Sequence, residues 1–414
     1  MRRIAIIGAG QAGLHLGFGL LRRGYQVTLF SDRRPEELLK GRAIATAFMF
    51  DRALSYEREL GLNAWDRETH WGAGIHLDFC LQPGAIALQV EAALPRPGQA
   101  IDQRLKFARW MEEFERRGGQ LIFKGATLDD LEQLAASHDL VVVAAGKGEI
   151  AGLFPRDDTR SVYTAPRRQL GLLTLAGLKP WKIALDVPIK FTFFAGAGEI
   201  FWIPFHAVGG INCYSLLFEA HRGGPMDRFG AAASGDEMIR IAREIIAEFA
   251  PWESATVRDV ALTDPMAWAK GALTPTIRRP VGRLKSGRVV MGLGDTVVLN
   301  DPIAGQGSNH AAKTTHLAIE RIVERRSRPF DADWMEALFE EYWEKESKGI
   351  TNFSNLLLEP ITEPAREILG AASQNPALAE WFVANFNEPQ EFWPAIGELA
   401  EAHKLIASRA APAS

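Results

Sequence analysis

The sequence predicts an α/β fold that combines a parallel-sheet nucleotide-binding unit with an antiparallel sheet and a helical C-terminal region. Three observations lead to this expectation. A glycine-rich turn joins a strand to a helix at the start of the chain, and a second turn of special residues does the same near residue 300. Between them, apolar and polar residues alternate with the period of two that is typical of antiparallel strands. After Asp331, helical spacing dominates.

The first of these turns follows the apolar strand that begins at Arg3. Gly8 allows a tight turn, Gly10 leaves space for a pyrophosphate, and Gly13 lets the next helix pack closely on the strand. A second strand ends at Asp32, about where an acidic residue binds an adenosine ribose, although the neighbouring arginines leave a phosphate as the alternative. These features predict a Rossmann-type dinucleotide site formed by Gly8, Gly10, Gln11, Ala12, Gly13, Asp32 and Arg33.

The second turn follows a strand predicted from Arg288 to Leu293. Asp295 can accept hydrogen bonds from a polyol, and the glycines that follow Pro302 let the main chain approach a flat ligand. The helix that continues to Arg325 points free N–H groups at the edge of such a ligand. A nicotinamide dehydrogenase with one nucleotide fold does not need this second element, whereas FAD extended across the domain uses both. The two motifs therefore predict FAD, contacted here by Asp295, Pro302, Gly305, Gln306, Gly307 and Asn309.

Composition excludes several classes of function. The chain has 414 residues and can bury a sizeable core, which favours two or three interwoven domains. With 24% charged residues and a net charge of −4, it has no basic stripe for nucleic acid and no apolar run that would span a membrane. Cys80 and Cys213 show no metal-ligand spacing, so no metal is expected. We expect a cytoplasmic protein, because the first strand begins by Arg3 and leaves no room for a signal peptide.

The predicted domains are discontinuous. We expect an FAD-binding domain of residues 1–50, 98–150 and 286–330, a substrate domain of 51–97 and 151–285, and a helical region of 331–414. An apolar run ending at Gly146 reads as a central parallel strand. The antiparallel strands between Arg167 and Phe218 would cover one side of the flavin and line a substrate pocket. Arg104, at the start of a helix that runs to Arg117, is predicted near the flavin or its phosphates, with an exposed polar helix start as the alternative.

Taken together, these residues resemble the styrene and indole monooxygenases, the epoxidase components of two-component FAD-dependent systems. The resemblance is carried by residues 8–17, 28–35, 292–309, 351–353 and 385–389. It implies the FAD-binding fold of the glutathione-reductase-like hydroxylases, and a cytosolic enzyme, often a homodimer, that takes FADH2 from a separate NADH-dependent flavin reductase. It also implies that Asp295 meets the ribityl chain, that Pro302 lies beside the isoalloxazine, and that residues 305–309 face the ring edge.

The resemblance further implies that dioxygen adds to the reduced flavin, and that the flavin hydroperoxide passes one oxygen to the double bond of an aromatic alkene. No catalytic acid or base is expected, because the protein has to supply a dry apolar pocket. We predict that the pocket is lined by Arg42, Ala45, Ala47, Met49, Ile75, Phe205 and Pro302.

Inside the pocket the sequence departs from the styrene branch. That branch has Asn at the position of Ala45 and His at those of Met49 and Ile75, and the latter two residues look more like the indole branch. Ala45, Ala47, Gly72 and Gly98 are small, which predicts a roomier and more apolar pocket. The choice between styrene, indole and another alkene stays open, as do the enantioselectivity and the identity of the reductase.

Three alternatives remain. A flavin-dependent halogenase would carry two tryptophans where the segment before Pro204 has Glu199 and Phe201. A single-component aromatic hydroxylase would carry an Asp where this chain has Ala145, and no second glycine-rich site for a hydride donor is present in the sequence. A non-catalytic binding protein on the same fold would not need the whole set of flavin-contacting residues.

Overall fold

The computed structural model describes residues 1–145, 148–179, 181 and 183–410. The strands are β1 (Arg3–Ile7), β2 (Gln26–Ser31), β3 (Gly72–Cys80), β4 (Leu88–Gly98), β5 (Gln120–Phe123), β6 (Leu140–Val143), β7 (Arg168–Ala176), β8 (Pro188–Phe194), β9 (Gly198–Ala207), β10 (Ile211–His221), β11 (Ala261–Leu262), β12 (Trp268–Gly271), β13 (Thr276–Ile277), β14 (Val281–Arg283), β15 (Val289–Gly292) and β16 (Val298–Leu299). The helices are α1 (Gln11–Arg22), α2 (Pro35–Leu39), α3 (Asp51–Glu59), α4 (Gln103–Arg116), α5 (Leu128–Ser137), α6 (Gly235–Phe249), α7 (Gly307–Arg325), α8 (Ala332–Tyr342), α9 (Lys348–Leu358), α10 (Glu363–Ala372), α11 (Pro376–Ala384) and α12 (Leu399–Ala410).

The first sheet brings the two ends of the FAD-binding sequence together. Its strand order is β14-β15-β6-β1-β2-β5, parallel throughout except for β14 at one edge. The central strand β6, with the sequence Leu-Val-Val-Val, is completely buried, as the apolar run predicted. Gly146, at the end of that predicted strand, lies outside the described residues. The strand β6 lies between β1 and β15 and runs parallel to both. The carboxyl ends of β1 and β15, which lead into the two glycine turns, therefore lie at the same edge of the sheet.

Close packing between the helices α1, α4 and α7 stabilises this edge of the sheet. A Cβ atom on Gly17 of α1 would meet the Phe114 ring of α4 at 2.7 Å, and one on Gly19 would collide with Ile319 of α7. The three helices therefore touch through positions that have no side chain. This contact carries α7, which follows the second turn, directly onto α1, which follows the first.

The second sheet has the order β11-β7-β10-β9-β8-β3-β4, with β12 also paired to β7. Neighbouring strands are antiparallel, as predicted, except that β3 and β8 run parallel. The alternating pattern gives the sheet two apolar faces. One, which includes Trp202, packs against α6, and the other, which includes Phe201, packs against the helices α9 to α12. None of the helices within the described ranges combines the length and apolar character needed to cross a membrane.

Candidate functional site

The site lies where the two glycine turns meet. Gly8 has a left-handed backbone (φ 110°). A Cβ atom on Gly13 would collide with the carbonyl oxygen of Gly8, so α1 starts directly after the end of β1. Gly294, also left-handed (φ 62°), brings the second turn so close that an added Cβ would lie 3.0 Å from the Cβ of Ala12. The start of α1 and the residue before Asp295 therefore share one groove.

The first turn leaves open space in front of α1. Gly10 caps the helix without any side-chain hydrogen bond to its first N–H groups. A Cβ atom added to Gly10 would meet nothing within 4 Å. Free N–H groups at a helix start, with space in front of them, suit an anionic group such as a pyrophosphate.

Asp295 is held over this groove by the short helical turn Gly294–Thr296. The surrounding protein raises the pKa of its carboxyl to about 6, although the residue is exposed. No described N–H or O–H group donates a hydrogen bond to it, so both oxygens are available to hydroxyl groups of a ligand.

The second turn presents main chain where side chains would interfere. The Asp301 carboxylate accepts a hydrogen bond from the Ile303 N–H (3.2 Å) and so caps the turn Pro302–Ala304. Gly305 is left-handed (φ 64°), and its N–H closes the turn on the Pro302 carbonyl at 2.7 Å. An added Cβ on Gly305 or Gly307 would meet nothing within 4 Å, so a flat group can approach this main chain closely.

Comparison with known proteins agrees with this arrangement. Residues 146–255 match the family described as the styrene monooxygenase A putative substrate binding domain. The chain is 27% identical over 411 residues to styrene monooxygenase StyA of Pseudomonas fluorescens, covering 95% of this chain and 94% of that one. It is 28% identical over 406 residues to styrene monooxygenase StyA of a Pseudomonas species, with the same coverage. The chain is thus similar to styrene monooxygenases over nearly its whole length, and it is a flavin-dependent monooxygenase.

A solved structure shows the same fold in a different enzyme. The flavin-dependent brominase Bmp2 aligns with a TM-score of 0.70 and 14% identity, covering 98% of this chain and 99% of that one. At this identity the likeness concerns the fold alone. The predicted fold class, an FAD-binding α/β fold with an antiparallel sheet and C-terminal helices, is thereby confirmed.

The groove fits FAD, the cofactor predicted from the paired motifs. The start of α1 offers unpaired N–H groups to the pyrophosphate, and Asp295 offers two free acceptors to the ribityl hydroxyls. The turn from Pro302 to Gly307 offers main chain to the isoalloxazine, with no Cβ in the way at Gly305 or Gly307. The individual contacts remain predictions, but the space and the chemistry at each of the three places suit the group.

Three predicted cofactor residues use their side chains within the protein. Asn309 donates to the carbonyls of Phe48 (2.8 Å) and Gly305 (3.1 Å) and accepts from the Phe50 N–H (2.8 Å). The Gln306 amide donates to the Phe386 carbonyl at 2.8 Å. These two residues can offer FAD their main chain.

Gln11, the third, belongs to a buried network. Its amide donates to Glu57 at 2.9 Å, and the same carboxylate oxygen accepts from the Lys106 amine at 2.5 Å. Burial lowers the pKa of Lys106, which Glu57 opposes. This network fixes the start of α1. Lys106 on α4 was not predicted from the sequence, because a lysine at a helical position normally faces solvent.

Arg104 is completely buried, so the alternative of an exposed helix start is wrong. Its guanidinium donates to the carboxylates of Asp102 and Asp264 and to the Gly41 carbonyl. All five N–H donors then have protein partners, and none is left for a phosphate. Arg104 therefore positions the segment that begins at Gly41, and the structure gives no support to its predicted contact with FAD.

Asp32 and Arg33 follow the end of β2, at the same sheet edge as the first glycine turn. Both side chains are exposed, and Asp32 is 3.6 Å from the Arg33 guanidinium. They are placed where an adenosine ribose or phosphate would be met, and which of the two they bind stays a prediction.

An apolar cavity adjoins the second turn. It is small, about 20 Å³, which is room for about one water molecule. A groove of about 880 Å³ along α6 is larger, but it contains neither glycine turn. The small cavity is lined by Thr46, Phe48, Phe50, Ile189, Phe191, Phe201, Ile203, Leu217, Pro302, Ile303, Ala304 and Gly305.

Of the seven predicted pocket residues, Pro302 lines this cavity and the other six do not. Ile75 and Phe205 lie on the same apolar sheet face, one beside Ile189 and the other two residues beyond Ile203. The remaining four are on the segment from residue 42 to residue 49. This segment does border the cavity, through Thr46, Phe48 and Phe50, whereas the four predicted residues do not line it.

The contacts of Met49 show in which direction the side chains of residues 42–49 point. Its sulfur accepts a hydrogen bond from Lys106 (3.1 Å), and it packs with Ala312 of α7. Met49 therefore faces the helices α4 and α7, whereas the even-numbered neighbours Phe48 and Phe50 face the cavity. Ala45 and Ala47 are half-buried, and the Arg42 guanidinium lies over the Trp268 ring at 3.8 Å. The small residues Gly72 and Gly98 do not enlarge this cavity, because the Phe48 ring fills the space next to them.

A buried cluster of charges supports the second turn and was not predicted. Glu199 and Glu219 are directly opposite each other on β9 and β10, and like charges in that position repel. Arg168 neutralises Glu199 through two hydrogen bonds of 2.8 and 2.9 Å. Even so, burial raises the pKa of Glu199 to about 7. The sequence signal was present, since both glutamates interrupt otherwise apolar strands.

Glu219 is fully buried and meets the Asp301 carboxyl group. Neither Glu219 oxygen has a hydrogen-bond donor among the described N–H and hydroxyl groups. Two carboxyl groups can share a hydrogen bond only if one carries a proton. Burial, and then the charge of Asp301, raise the pKa of Glu219 well above its ordinary value. The protonated form of Glu219 is therefore favoured in the folded protein, beside the residue that caps the second turn.

Proposed function

We propose that the enzyme epoxidises an aromatic alkene with reduced FAD and dioxygen. One observation carries this proposal: the apolar cavity and the turn suited to the isoalloxazine share the residues from Pro302 to Gly305. A substrate in the cavity would therefore lie against the flavin. When bound and reduced, FAD supplies two electrons that activate dioxygen, so that one oxygen atom enters the alkene and the other leaves as water.

The residues of the cavity bind and orient the substrate and exclude water. Their side chains are apolar except for the hydroxyl of Thr46. Phe48 and Phe50 meet edge to face at 5.1 Å, as do Phe191 and Phe201 at 4.8 Å. Such walls suit an uncharged aromatic hydrocarbon and offer no ionisable group to act as an acid or base. Their role is to keep the reaction dry and to present one face of the alkene, which sets the enantiomer.

Reduced FAD has to come from a partner. Ala145 stands where a single-component hydroxylase would carry an Asp, and the resemblance implies a separate NADH-dependent flavin reductase. We therefore propose a two-component system in the cytoplasm, with the oxygenase as a homodimer. The division into an FAD-binding domain, a substrate domain and a helical region remains part of the same proposal.

The test mixes the purified protein with chemically reduced FAD, dioxygen and either styrene or indole. Styrene oxide, or the blue pigment that follows indole epoxidation, is the expected product. Product formation should not require NADH or halide. Oxidation of NADH by the protein alone would instead indicate a single-component hydroxylase, and failure to bind FAD or FADH2 would indicate a non-catalytic binding protein.

A halogenase is the second candidate because the brominase Bmp2 shares the fold. At the first of the two positions where halogenases of this motif carry tryptophan, this chain has Glu199, whose carboxylate is engaged by Arg168. Product that contains halogen and depends on halide concentration would favour that assignment over epoxidation.

A further inference from the structure

The Phe48 ring rests directly on the main chain of two strands. A Cβ atom on Gly72 of β3 would meet the ring at 2.7 Å, and one on Gly98 of β4 would collide with it. The ring thus occupies the volume that side chains at positions 72 and 98 would take. It also lines the apolar cavity and is 4% exposed.

The main chain of Phe48 is fixed from two sides. Asn309 donates to its carbonyl at 2.8 Å, and the next residue, Met49, exchanges two main-chain hydrogen bonds with Gln99 (2.8 and 3.1 Å). Asn309 also holds the Gly305 carbonyl at 3.1 Å, so the wall that carries Phe48 is tied to the turn beside the flavin. The direction in which the Phe48 side chain leaves the backbone is therefore set by the fold.

The size of this one ring decides how much room is left. The cavity is about 20 Å³, far less than an aromatic alkene needs, so substrate enters only when the walls move. Glycine at positions 72 and 98 lets the Phe48 ring settle back onto β3 and β4, which preserves what room there is. Because Phe48 is one of the walls that have to move, a substrate with a fused second ring has to displace it further than a substrate with a single ring.

We propose that Phe48 determines the size of the substrate and restricts the enzyme to alkenes with a single aromatic ring. This inference rests on the proposed epoxidase function and narrows its substrate class. It makes styrene-like alkenes the preferred substrates over bicyclic ones such as indole.

The test compares the FAD-loaded wild type with Phe48→Ala and Phe194→Ala. Phe194 is a matched control, because it is also 4% exposed but packs on the opposite face of the sheet, against Phe249. Each protein receives reduced FAD, dioxygen and an equimolar mixture of styrene and 2-vinylnaphthalene. We expect Phe48→Ala to raise the ratio of naphthyl to phenyl epoxide by at least about tenfold, and Phe194→Ala to leave it unchanged.

A binding measurement gives the second readout. Ethylbenzene and 2-ethylnaphthalene are titrated into the oxidised, FAD-loaded proteins, and the change in flavin absorbance reports their affinities. The same preference for the naphthyl compound should appear in Phe48→Ala. Phe48→Leu, which removes less volume, replaces it if the alanine variant does not fold, and should show a smaller shift in the same direction.

A third variant, Gly72→Ala, should make the cavity smaller instead of larger. In Gly72→Ala the new methyl group pushes the Phe48 ring into the cavity, so the affinity for ethylbenzene should fall, and adding Phe48→Ala should restore it. The proposal is overturned if both ratios are unchanged in Phe48→Ala, or if Phe194→Ala shifts them equally. If the wild type makes no epoxide, the epoxidase function fails, while the binding ratio still reports on Phe48.

Discussion

Replacing Glu219 by glutamine should flatten the dependence of protein stability on pH. In the folded protein burial and the neighbouring Asp301 carboxylate raise the pKa of Glu219 well above its ordinary value, so Glu219 keeps its proton to a higher pH than in the unfolded chain. In the unfolded chain the same group loses its proton near its ordinary pKa of about 4.3. Over the pH range between these two pKa values the folded state holds one more proton than the unfolded state.

The sign and size of the effect follow from this difference. Stability contributed by a group with a raised pKa is fully present below about pH 4.3 and declines as the pH approaches the folded value. The decline is at most about 1.4 kcal/mol per pH unit for one proton. Glutamine cannot ionise but can still donate an N–H to Asp301. Relative to the wild type, Glu219→Gln should therefore gain up to about 3 kcal/mol between pH 5 and pH 7.

The assay is urea unfolding of the cofactor-free protein at pH 5, 6, 7 and 8, followed by tryptophan fluorescence. Glu199, Asp301 and Arg168 surround Glu219, and the substitution also removes the repulsion between Glu219 and the two carboxylates, so the difference between the two proteins reports on this cluster as a whole. Glu253→Gln is the control, because Glu253 is equally buried but pairs with Lys190, and its loss should lower stability without removing the wild-type slope. If the free energies of unfolding of Glu219→Gln and the wild type change in parallel with pH, the raised pKa of Glu219 is refuted.

Four further substitutions test the cofactor groove and its support. Gly10→Ala should fold with wild-type stability but retain little FAD, since the added Cβ enters the open space before α1. Gly13→Ala should lose both stability and bound FAD, because its Cβ would collide with the carbonyl oxygen of Gly8. Loss of the Asp295 acceptors in Asp295→Ala should weaken FAD binding about 10- to 100-fold, measured by quenching of flavin fluorescence. Arg168→Met leaves Glu199 buried without its partner and should cost about 3–5 kcal/mol in urea unfolding, and a loss below about 1 kcal/mol would contradict that pairing.

The sequence was most informative where backbone geometry restricts the choice of residue. Gly8, Gly13, Gly294 and Gly305 are each required by a left-handed backbone or a close approach, so the spacing of these glycines was enough to predict both turns. The parallel sheet followed from the same reasoning, because β6 is a short and wholly apolar run.

The pocket was less predictable because a face cannot be assigned to an irregular segment. Residues 42–49 do not form a strand or helix, and the left-handed Ala47 (φ 40°) breaks any alternation that leads into Phe48. The small residues Gly72 and Gly98 suggested empty space, but a distant aromatic ring fills it. The partners of Arg104 were unpredictable for a related reason, since its carboxylate partner Asp264 is far away in sequence.

The interleaving of the first sheet has a consequence for biosynthesis. The strand β15, which leads into the second turn, pairs with β6, although a long stretch of chain that includes most of the second sheet separates them. A growing polypeptide emerges from the ribosome N-terminus first, so the pyrophosphate end of the groove is translated long before the isoalloxazine end. The predicted flavin site is therefore complete only after residue 309 has left the exit tunnel, and we expect a prematurely terminated product that ends before β15 to be colourless.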